Sequence, residues 1–304
     1  MDRFDAMRVL VRIVELRSFT RAAEDLQLPR ATVTHVVQQL EKRLGVRLLH
    51  RTTRQVSPTL DGEAYYQRCQ RLLADLEETE AVFNQAALKP RGRLRVDLQG
   101  TLATHFLLPH LGEFFARYPE VELEIGLGDR LVDLVREGID CVLRAGEPRD
   151  SSMVGRRVAQ LPQVTCASTA YLERHGEPRT LEEFRDGGHR AVNYMGSGGR
   201  ILPFDFIDAQ GQALSLALPG PVTVSSAEAY AQCCEAGLGL AQMPRYHVER
   251  QLAEGRLREV LADFRPAPMS VSLLYPQQRQ LSQRVRVFVD WVAARMQQQP
   301  QCAA

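Results

Sequence analysis

Residues 18–54 read SFTRAAEDLQLPRATVTHVVQQLEKRLGVRLLHRTTR, and this stretch gives the order of elements near the start of the chain. Ser18 can cap a short helix, and Pro29 ends the turn that follows it. Between residues 30 and 44, apolar side chains recur every three or four positions, which predicts a further helix closed by Gly45. The stretch therefore predicts two consecutive helices joined by a tight turn.

The flanking segments complete this pattern. Apolar residues at helical spacing predict a first helix over residues 2–16. After the helices come two short extended segments, residues 47–50 and 54–57, joined by the turn Arg51-Thr52-Thr53. Three helices followed by a β-hairpin predict a mainly helical, winged helix-turn-helix domain over residues 1–60.

Charge is distributed unevenly along the chain. Residues 1–60 carry 11 Lys and Arg against 6 Asp and Glu, a net charge of +5 within a chain whose total is only +1. Residues 61–90 carry 3 against 6, which gives −3. A basic segment joined to neutral or acidic ones is typical of a nucleic-acid-binding module, although this excess also arises by chance.

A long helix is predicted over residues 61–90, with Pro58 near its first turn. Such a helix spans about 45 Å, more than a module of this size can cover, which favours a dimer contact over packing within its own domain. The expected dimer contacts are Tyr65, Leu72, Leu76 and Phe83. They belong to a seam with alternating spacings of four and three, which is typical of a coiled coil and comprises Tyr65, Cys69, Leu72, Leu76, Thr79, Phe83 and Ala86.

From residue 91 the pattern changes to alternating strands and helices, which predicts an α/β domain with parallel strands. The first set has a helix predicted over residues 106–118, and later sets end in a C-terminal helix over 281–296. The predicted strands cover residues 94–98, 121–127, 141–143, 164–167, 189–194, 222–224, 238–243 and 269–275.

The chain resembles the LysR-type transcriptional regulators. The resemblance is densest in the first 62 residues and weaker after residue 90, where residues 114–121 and 235–241 carry it. The matching residues in the first part are Ser18-Phe19-Thr20-Arg21-Ala22-Ala23, Leu26, Val33-Thr34, Leu40-Glu41, Leu44-Gly45-Val46-Arg47-Leu48-Leu49, Arg51-Thr52-Thr53-Arg54 and Thr59-Leu60-Asp61-Gly62.

This resemblance implies an effector-binding domain over residues 91–304, similar to the periplasmic solute-binding fold. Lobe I would comprise residues of about 91–162 and 268–304, and lobe II residues of about 163–267. A small molecule, with organic acids among the candidates, would bind between the lobes and control transcription. The resemblance also implies a homodimer or homotetramer.

The predicted DNA-contacting residues follow from how helix-turn-helix domains bind double-stranded DNA, with the second helix of the motif in the major groove. Base contacts are expected from that helix, and phosphate contacts from the wing and from the N-terminus of the preceding helix. Two departures from the family, Pro29 in place of Ser and His35 in place of Arg, alter this helix. The expected residues are Thr20, Arg30, Ala31, Thr34, His35, Gln38, Arg51, Thr52 and Arg54.

Effector contacts are expected where strands end and helices begin, because clefts between α/β lobes bind ligands there. Thr101 and Ser226 could instead only cap helices, and Arg144 could instead pair with Asp140, Glu147 or another acid. The expected effector residues are Gly100, Thr101, Arg144, Tyr194, Ser197, Ser225 and Ser226.

The sequence contains no pattern typical of an enzyme, a metal site or a cofactor site. Cys233 and Cys234 are adjacent, but neither has a neighbour that would activate a thiolate, so a redox role is not favoured. No apolar run is long enough to cross a membrane, and the first residues lack a secretion signal, so we expect a cytoplasmic location. The alternatives are a cytoplasmic solute-binding protein and an architectural DNA-binding protein that responds to no ligand.

Overall fold

The computed structural model describes residues 2–51, 56–83, 89–129, 134–146, 153–276, 281–299 and 302. The chain divides into two compact units, Met1–Lys89 and Pro90–Ala304, and each has its own core. They are described one at a time.

The first unit contains the predicted order of three helices, a two-stranded antiparallel wing and a long helix. Its core is formed by the three helices and the first wing strand, with Leu10, Ile13 and Val33 fully buried. The elements are α1 (Arg3–Leu16), α2 (Phe19–Asp25), α3 (Arg30–Leu44), β1 (Leu49–Arg51), β2 (Val56–Pro58) and α4 (Leu60–Phe83).

Local side chains determine where these helices begin and end. The Ser18 hydroxyl accepts a hydrogen bond from the amide of Arg21, as predicted for an N-cap, whereas Pro29 gives α3 no side-chain cap. In the turn between α2 and α3, Gln27 adopts a left-handed conformation with φ of 54°. Gly45 ends α3 with φ of 73°, a conformation that glycine adopts without strain.

The start of α4 differs from the prediction. Pro58 is the last residue of β2, and the helix begins at Leu60, because Thr59 takes the capping role. The Thr59 hydroxyl accepts from the amide of Gly62 at 2.9 Å and donates to the carbonyl of Arg47. Gly62 lies so close to the Leu48 carbonyl that a β-carbon on it would overlap that oxygen.

The residues of the predicted coiled-coil seam differ in their burial. Cys69 is fully buried and Tyr65 packs against the core of its own unit, in which α4 lies against α1. Tyr65 is half-buried by this packing, and its assignment as a dimer contact stays a prediction. Leu72 is 48% exposed and Leu76 is half-buried. The side chains of Thr79, Phe83 and Ala86 lie outside the described part of the chain.

The second unit begins with a five-stranded sheet that forms lobe I. Its strand order is β4-β3-β5-β14-β6, with β3, β4 and β5 parallel to one another and β14 antiparallel to both of its neighbours. The prediction did not include β6. The elements of lobe I are β3 (Gly92–Leu98), α5 (Gly100–Leu102), α6 (Leu111–Arg117), β4 (Val121–Leu127), α7 (Leu134–Glu137), β5 (Cys141–Ala145) and β6 (Met153–Leu161), with β14 and α12 returning at the end of the chain.

Lobe II consists of smaller sheets. A central strand pairs antiparallel with two others in the order β12-β7-β13, and a separate parallel pair joins β11 to β8. The elements of lobe II are β7 (Gln163–Ser168), α8 (Thr169–His175), α9 (Leu181–Asp186), β8 (Val192–Tyr194), β9 (Phe204–Ile207), β10 (Ala213–Leu216), β11 (Val222–Val224), α10 (Ala227–Glu235), β12 (Ala241–Pro244), α11 (Glu249–Ala253) and β13 (Leu257–Val260). The last two elements of the chain, β14 (Met269–Pro276) and α12 (Gln283–Gln297), belong to lobe I.

Three predicted elements of this unit are shorter or less regular than expected, and one of them is the strand expected over residues 238–243, which is reduced to β12 (Ala241–Pro244). The helix expected over residues 106–118 starts earlier, at Gly100, and passes through a π-helical turn (Ala103–Leu107) and a 3₁₀ turn containing Pro109 before α6. Proline cannot donate a backbone hydrogen bond, so a regular helix is interrupted there. The strand expected over residues 189–194 is reduced to β8.

Candidate DNA-binding and effector-binding sites

The α3 helix has one buried face and one exposed face. Val33, Val36, Val37 and Leu40 are buried, whereas Leu44 at the helix end is exposed, contrary to the predicted apolar stripe. On the opposite face, Thr34 is half-buried and donates its hydroxyl hydrogen to the Arg30 carbonyl at 3.0 Å. The exposed residues predicted to contact DNA on this helix are Arg30, Ala31, His35 and Gln38.

Polar side chains join the helices and the wing of the first unit. The Glu41 carboxylate accepts from the amides of Leu48 and Leu49, at 2.9 and 3.2 Å, and so joins α3 to the wing. The Arg12 guanidinium donates two hydrogen bonds to Asp25, which joins α1 to α2 and holds the pKa of that carboxyl below its usual range. The helix that carries the exposed face is thus held in a fixed position within the unit.

The residues predicted to contact phosphates are described only in part. Thr20 is exposed in the first turn of α2. Arg51 ends strand β1, but its side chain lies outside the described residues, as do Thr52 and Arg54 altogether. The structure therefore places the root of the wing beside α3 and leaves the contacts at its tip as predictions.

In lobe I, the predicted effector residues lie at the carboxyl edge of the parallel strands. Gly100 and Thr101 follow β3, whose last residue, Leu98, is in register with Leu127 of β4 and Leu143 of β5. This edge is where ligands approach open α/β sheets.

Arg144 is at this edge, but its guanidinium is engaged within the protein. It forms an ion pair with the Asp97 carboxylate and donates to the Asp97 carbonyl at 3.1 Å. The side chains of Arg144 and Asp97 are only 14% and 11% exposed. Arg144 is thus in a structural ion pair with Asp97, an acid that the sequence had not singled out, while Glu147 lies outside the described residues.

In lobe II, the parallel strands β8 and β11 end side by side, with Tyr194 in register with Val224. Ser225 and Ser226 follow β11 and are exposed, as is Ser197 in the loop after β8. Although Ser226 precedes α10, its side chain makes no capping hydrogen bond to that helix, so the capping alternative does not describe it.

A hydrogen bond joins the two lobes beside the lobe I edge. The hydroxyl of Thr101 in lobe I is 2.9 Å from that of Tyr246 in lobe II. Burial, together with the charge of Asp129, raises the pKa of Tyr194 to about 12, so its phenol remains a hydrogen-bond donor at neutral pH. Within the described residues, one carboxylate oxygen of Asp129 is buried and has no hydrogen-bond partner.

The sequence analysis missed Asp129 and Tyr246. Asp129 comes just after β4, so the strand-end rule that selected Thr101 could also have selected it. Tyr246 follows β12 in a short 3₁₀ turn, but its ring packs into the core of lobe I, against Phe106. Nothing in the local sequence indicates that a lobe II side chain crosses to the other lobe.

The cysteines of lobe II are reduced. Cys166 and Cys234 are fully buried with their sulfur atoms 4.0 Å apart, and the contact with Cys166, followed by burial, raises the pKa of Cys234. Such thiols are poor nucleophiles. Within the described ranges, His, Cys, Asp and Glu form no group of three placed to hold a metal ion. No helix there has the length and hydropathy required to span a bilayer.

Two family models match the chain. Residues 4–63 match the bacterial regulatory helix-turn-helix protein of the lysR family, and residues 88–297 match the LysR substrate binding domain. A relative from Escherichia coli K12, the uncharacterized HTH-type transcriptional regulator YhjC, is 40% identical over 299 residues, which cover 98% of this chain and 99% of the relative. An HTH-type transcriptional repressor from Pseudomonas aeruginosa is 38% identical and covers 99% of this chain and 94% of its own.

Solved structures agree with this assignment. CrgA, a LysR-type transcriptional regulator from Neisseria meningitidis, is 32% identical with a TM-score of 0.57, covering 95% of this chain and 97% of its own. The Vibrio cholerae virulence activator AphB is 27% identical with a TM-score of 0.58, covering 96% and 99%. The predicted fold class is confirmed, with a helix-turn-helix domain followed by a two-lobed effector-binding domain. The chain belongs to the family of LysR-type transcriptional regulators.

Proposed function

We propose that the exposed face of α3 reads base edges in the major groove of double-stranded DNA. The observation that carries this proposal is the division of α3 into a buried apolar face and an exposed polar one. Arg30 suits a bidentate contact to guanine and Gln38 one to adenine, while the Ala31 methyl group suits a thymine methyl. Thr34 and His35 lie between them and complete the reading surface.

Phosphate contacts would come from Thr20, Arg51, Thr52 and Arg54. Such contacts position the domain without reading sequence, and they make affinity depend steeply on salt. They are supported by the location of Thr20 at the start of α2 and of Arg51 at the end of β1.

The test compares three variants in a binding assay on a footprinted site and on sites with single base changes. Gln38→Ala should lose discrimination at one base pair, worth about 1–3 kcal/mol, whereas Arg54→Ala should weaken binding to all sequences alike. Gln39→Ala, which removes the same side chain at the next exposed position of α3 and was not among the predicted base contacts, is the matched control. The assignment is wrong if Gln38→Ala weakens every site equally or if Gln39→Ala relaxes specificity.

We also propose that the cleft between the lobes binds the effector. Its supports are the strand ends of the two lobes and the side chains near them, namely Thr101, Asp129, Tyr194 and Ser226, with the charge of Asp129 acting on Tyr194. Because Arg144 is paired with Asp97, a carboxylate on the ligand would meet the amides of Ser225 and Ser226 at the start of α10. Gly100 and Ser197 would border the same space. The ligand class that fits is a small organic acid bearing hydroxyl groups.

A metabolite panel tests the effector proposal. A true effector should raise the melting temperature of the full chain and change its DNA footprint, and both effects should be lost in Ser226→Pro, which removes an amide donor. Ser215→Pro serves as a control for the general cost of proline. If no organic acid produces either effect, the protein binds DNA without this ligand class.

Self-association would pair two DNA-binding domains on half-sites of a partial palindrome. The exposed Leu72 and its neighbour Leu76, with Phe83 beyond them, are the α4 residues that we propose for a homodimer, and further pairing would give a homotetramer. The proposed role is regulatory rather than catalytic and is exercised in the cytoplasm, where the DNA is.

A further inference from the structure

Two short segments of the chain join the lobes of the second unit. The first is the single residue Pro162, between β6 and β7, and the second is residues 261–268, between β13 and β14. Two-lobed domains that are joined in this way commonly rotate about such segments. Here several contacts oppose that rotation, and they converge on the 3₁₀ turn Arg245–His247, called the junction turn below.

Both connecting segments have little backbone freedom. Proline fixes φ, and it occurs as Pro162 in the first segment and as Pro266 and Pro268 in the second. The second segment begins with the buried Leu261, whose φ of 55° is a left-handed conformation that a residue with a side chain keeps only where its surroundings hold it. The segments are therefore stiffer than ordinary loops.

Hydrogen bonds tie the connecting segments to each other and to the junction turn. The Gln163 side chain, next to the first segment, donates to the carbonyl of Ala267 in the second at 2.8 Å. The amide of Arg245 donates to the carbonyl of Pro162 at 2.9 Å. A rotation centred on these segments therefore strains both bonds.

A carboxylate fastens the junction turn to the second connecting segment. Glu259 accepts from Arg245 at 2.9 Å and from Arg265 at 2.6 Å, and its side chain is only 17% exposed. Burial opposes the charge of this carboxylate, but the hydrogen bonds from Arg265 and Arg245 hold the pKa of Glu259 below its usual range. Glu259 is therefore ionised at neutral pH, and it joins the turn to the segment through two charged pairs.

Tyr246 joins the junction turn to lobe I. It is 8% exposed and belongs to the lobe I core, where the centroid of the Phe106 ring is 4.9 Å from that of its own ring. Its hydroxyl is 2.9 Å from that of Thr101. By contrast, Met243 before the turn and Val248 after it are buried in a core of lobe II. The turn is thus anchored in lobe II on both sides and sends one aromatic side chain into the other lobe.

We propose that Tyr246 is a lock between the lobes, which holds them at one angle until its ring leaves the core of lobe I. Because a closely packed ring is either seated or released, the lobes then have two discrete arrangements rather than a continuous range. A molecule with a higher affinity for the released arrangement shifts the population toward it. The lock is a property of the chain without a ligand, so it does not depend on the cleft binding an effector.

The test measures the distance between the lobes in the full chain by pulsed electron paramagnetic resonance. Spin labels are attached to unnatural amino acids at two exposed helix positions, Ala294 of α12 in lobe I and Glu182 of α9 in lobe II. These labels leave the native cysteines unmodified, and dilution with unlabelled chain removes the distances between copies. Circular dichroism verifies that each variant is folded.

The parent chain should give one narrow distribution of distances. Tyr246→Ala should broaden that distribution about twofold, because the ring that seats the junction turn in lobe I is gone and further lobe angles become populated. Tyr118→Ala is the matched control, since its ring packs on the same core but comes from lobe I itself. It should leave the distribution as it is in the parent chain.

Glu259→Gln tests the lock away from the ring and keeps the test decisive if Tyr246→Ala does not fold. It removes the charge that holds the turn to the second segment, so the distribution should broaden by a factor of about 1.5. Glu177→Gln is its matched control, because the ion pair of Glu177 with Arg258 lies within lobe II.

Three results would overturn the proposal. The first is a parent-like distribution in folded Tyr246→Ala, and the second is equal broadening by Tyr118→Ala. The third is a Glu259→Gln distribution no broader than that of Glu177→Gln.

Discussion

Arg30 and Arg144 were both expected to bind a partner, and the structure places them in opposite settings. Arg30 is exposed at the start of α3, on a face that the domain core does not use. Arg144 is mostly buried at the end of β5 and is held by Asp97. In the DNA-binding unit, stability and recognition are carried by different faces of one helix. In the effector unit, the residues around the site are also structural.

This difference predicts that substitutions will have different consequences in the two units. A change on the exposed face of α3 should affect DNA binding alone. A change at the lobe I edge should affect folding first and ligand binding second, because the same hydrogen bonds serve both.

The largest effect is expected for Arg144→Ala, which leaves Asp97 mostly buried without its ion-pair partner. We expect a loss of about 2–4 kcal/mol in the free energy of unfolding of the effector unit. Urea unfolding followed by the fluorescence of Trp291, the only tryptophan of the chain, measures it, since this residue packs against the lobe I core.

Arg156→Ala is the matched control, because its pair with Asp290 is exposed, at 43% and 60%. Its cost should be below about 1 kcal/mol. Equal effects of the two substitutions would show that the Arg144 pair is not structural, and the contrast between the units would fail.

An intermediate effect is expected for Gly62→Ala in the first unit. The new methyl group would overlap the Leu48 carbonyl, so α4 or β1 must move, at a cost of about 1–3 kcal/mol in unfolding free energy. Gly112→Ala, in α6 of the second unit, has open space around the site and should be neutral or slightly stabilising. Calorimetry of the full chain distinguishes them, and a neutral Gly62→Ala would contradict the close approach.

The smallest effect on stability is expected for Arg30→Ala, within about 0.5 kcal/mol of the parent chain, because no core residue depends on it. The same variant should nevertheless lose affinity for its DNA site by about 1–3 kcal/mol. Thermal unfolding and DNA titration on one sample give both numbers. A large loss of stability would mean that recognition and folding are not separated on α3.

Periodicity was sufficient to predict α3, because burial on a helix follows sequence spacing. It also predicted the strands β4 and β11 at their observed bounds. It could not predict that Asp97 pairs with Arg144, since the two residues meet only when β3 and β5 align side by side.

The same limit explains the division of the α4 seam. Tyr65 and Leu72 fit one heptad pattern, yet Tyr65 packs on the core of its own domain and Leu72 is exposed. A heptad pattern records which residues are apolar and does not record which neighbour covers them.

The Glu41 carboxylate, which accepts from the amides of both Leu48 and Leu49, has a consequence for how DNA is chosen. These two hydrogen bonds fix the distance between α3 and the wing. A duplex must then offer its groove and the neighbouring backbone at a matching separation, or bend until it does. Sites that deform easily will therefore be favoured even at base pairs that no side chain touches.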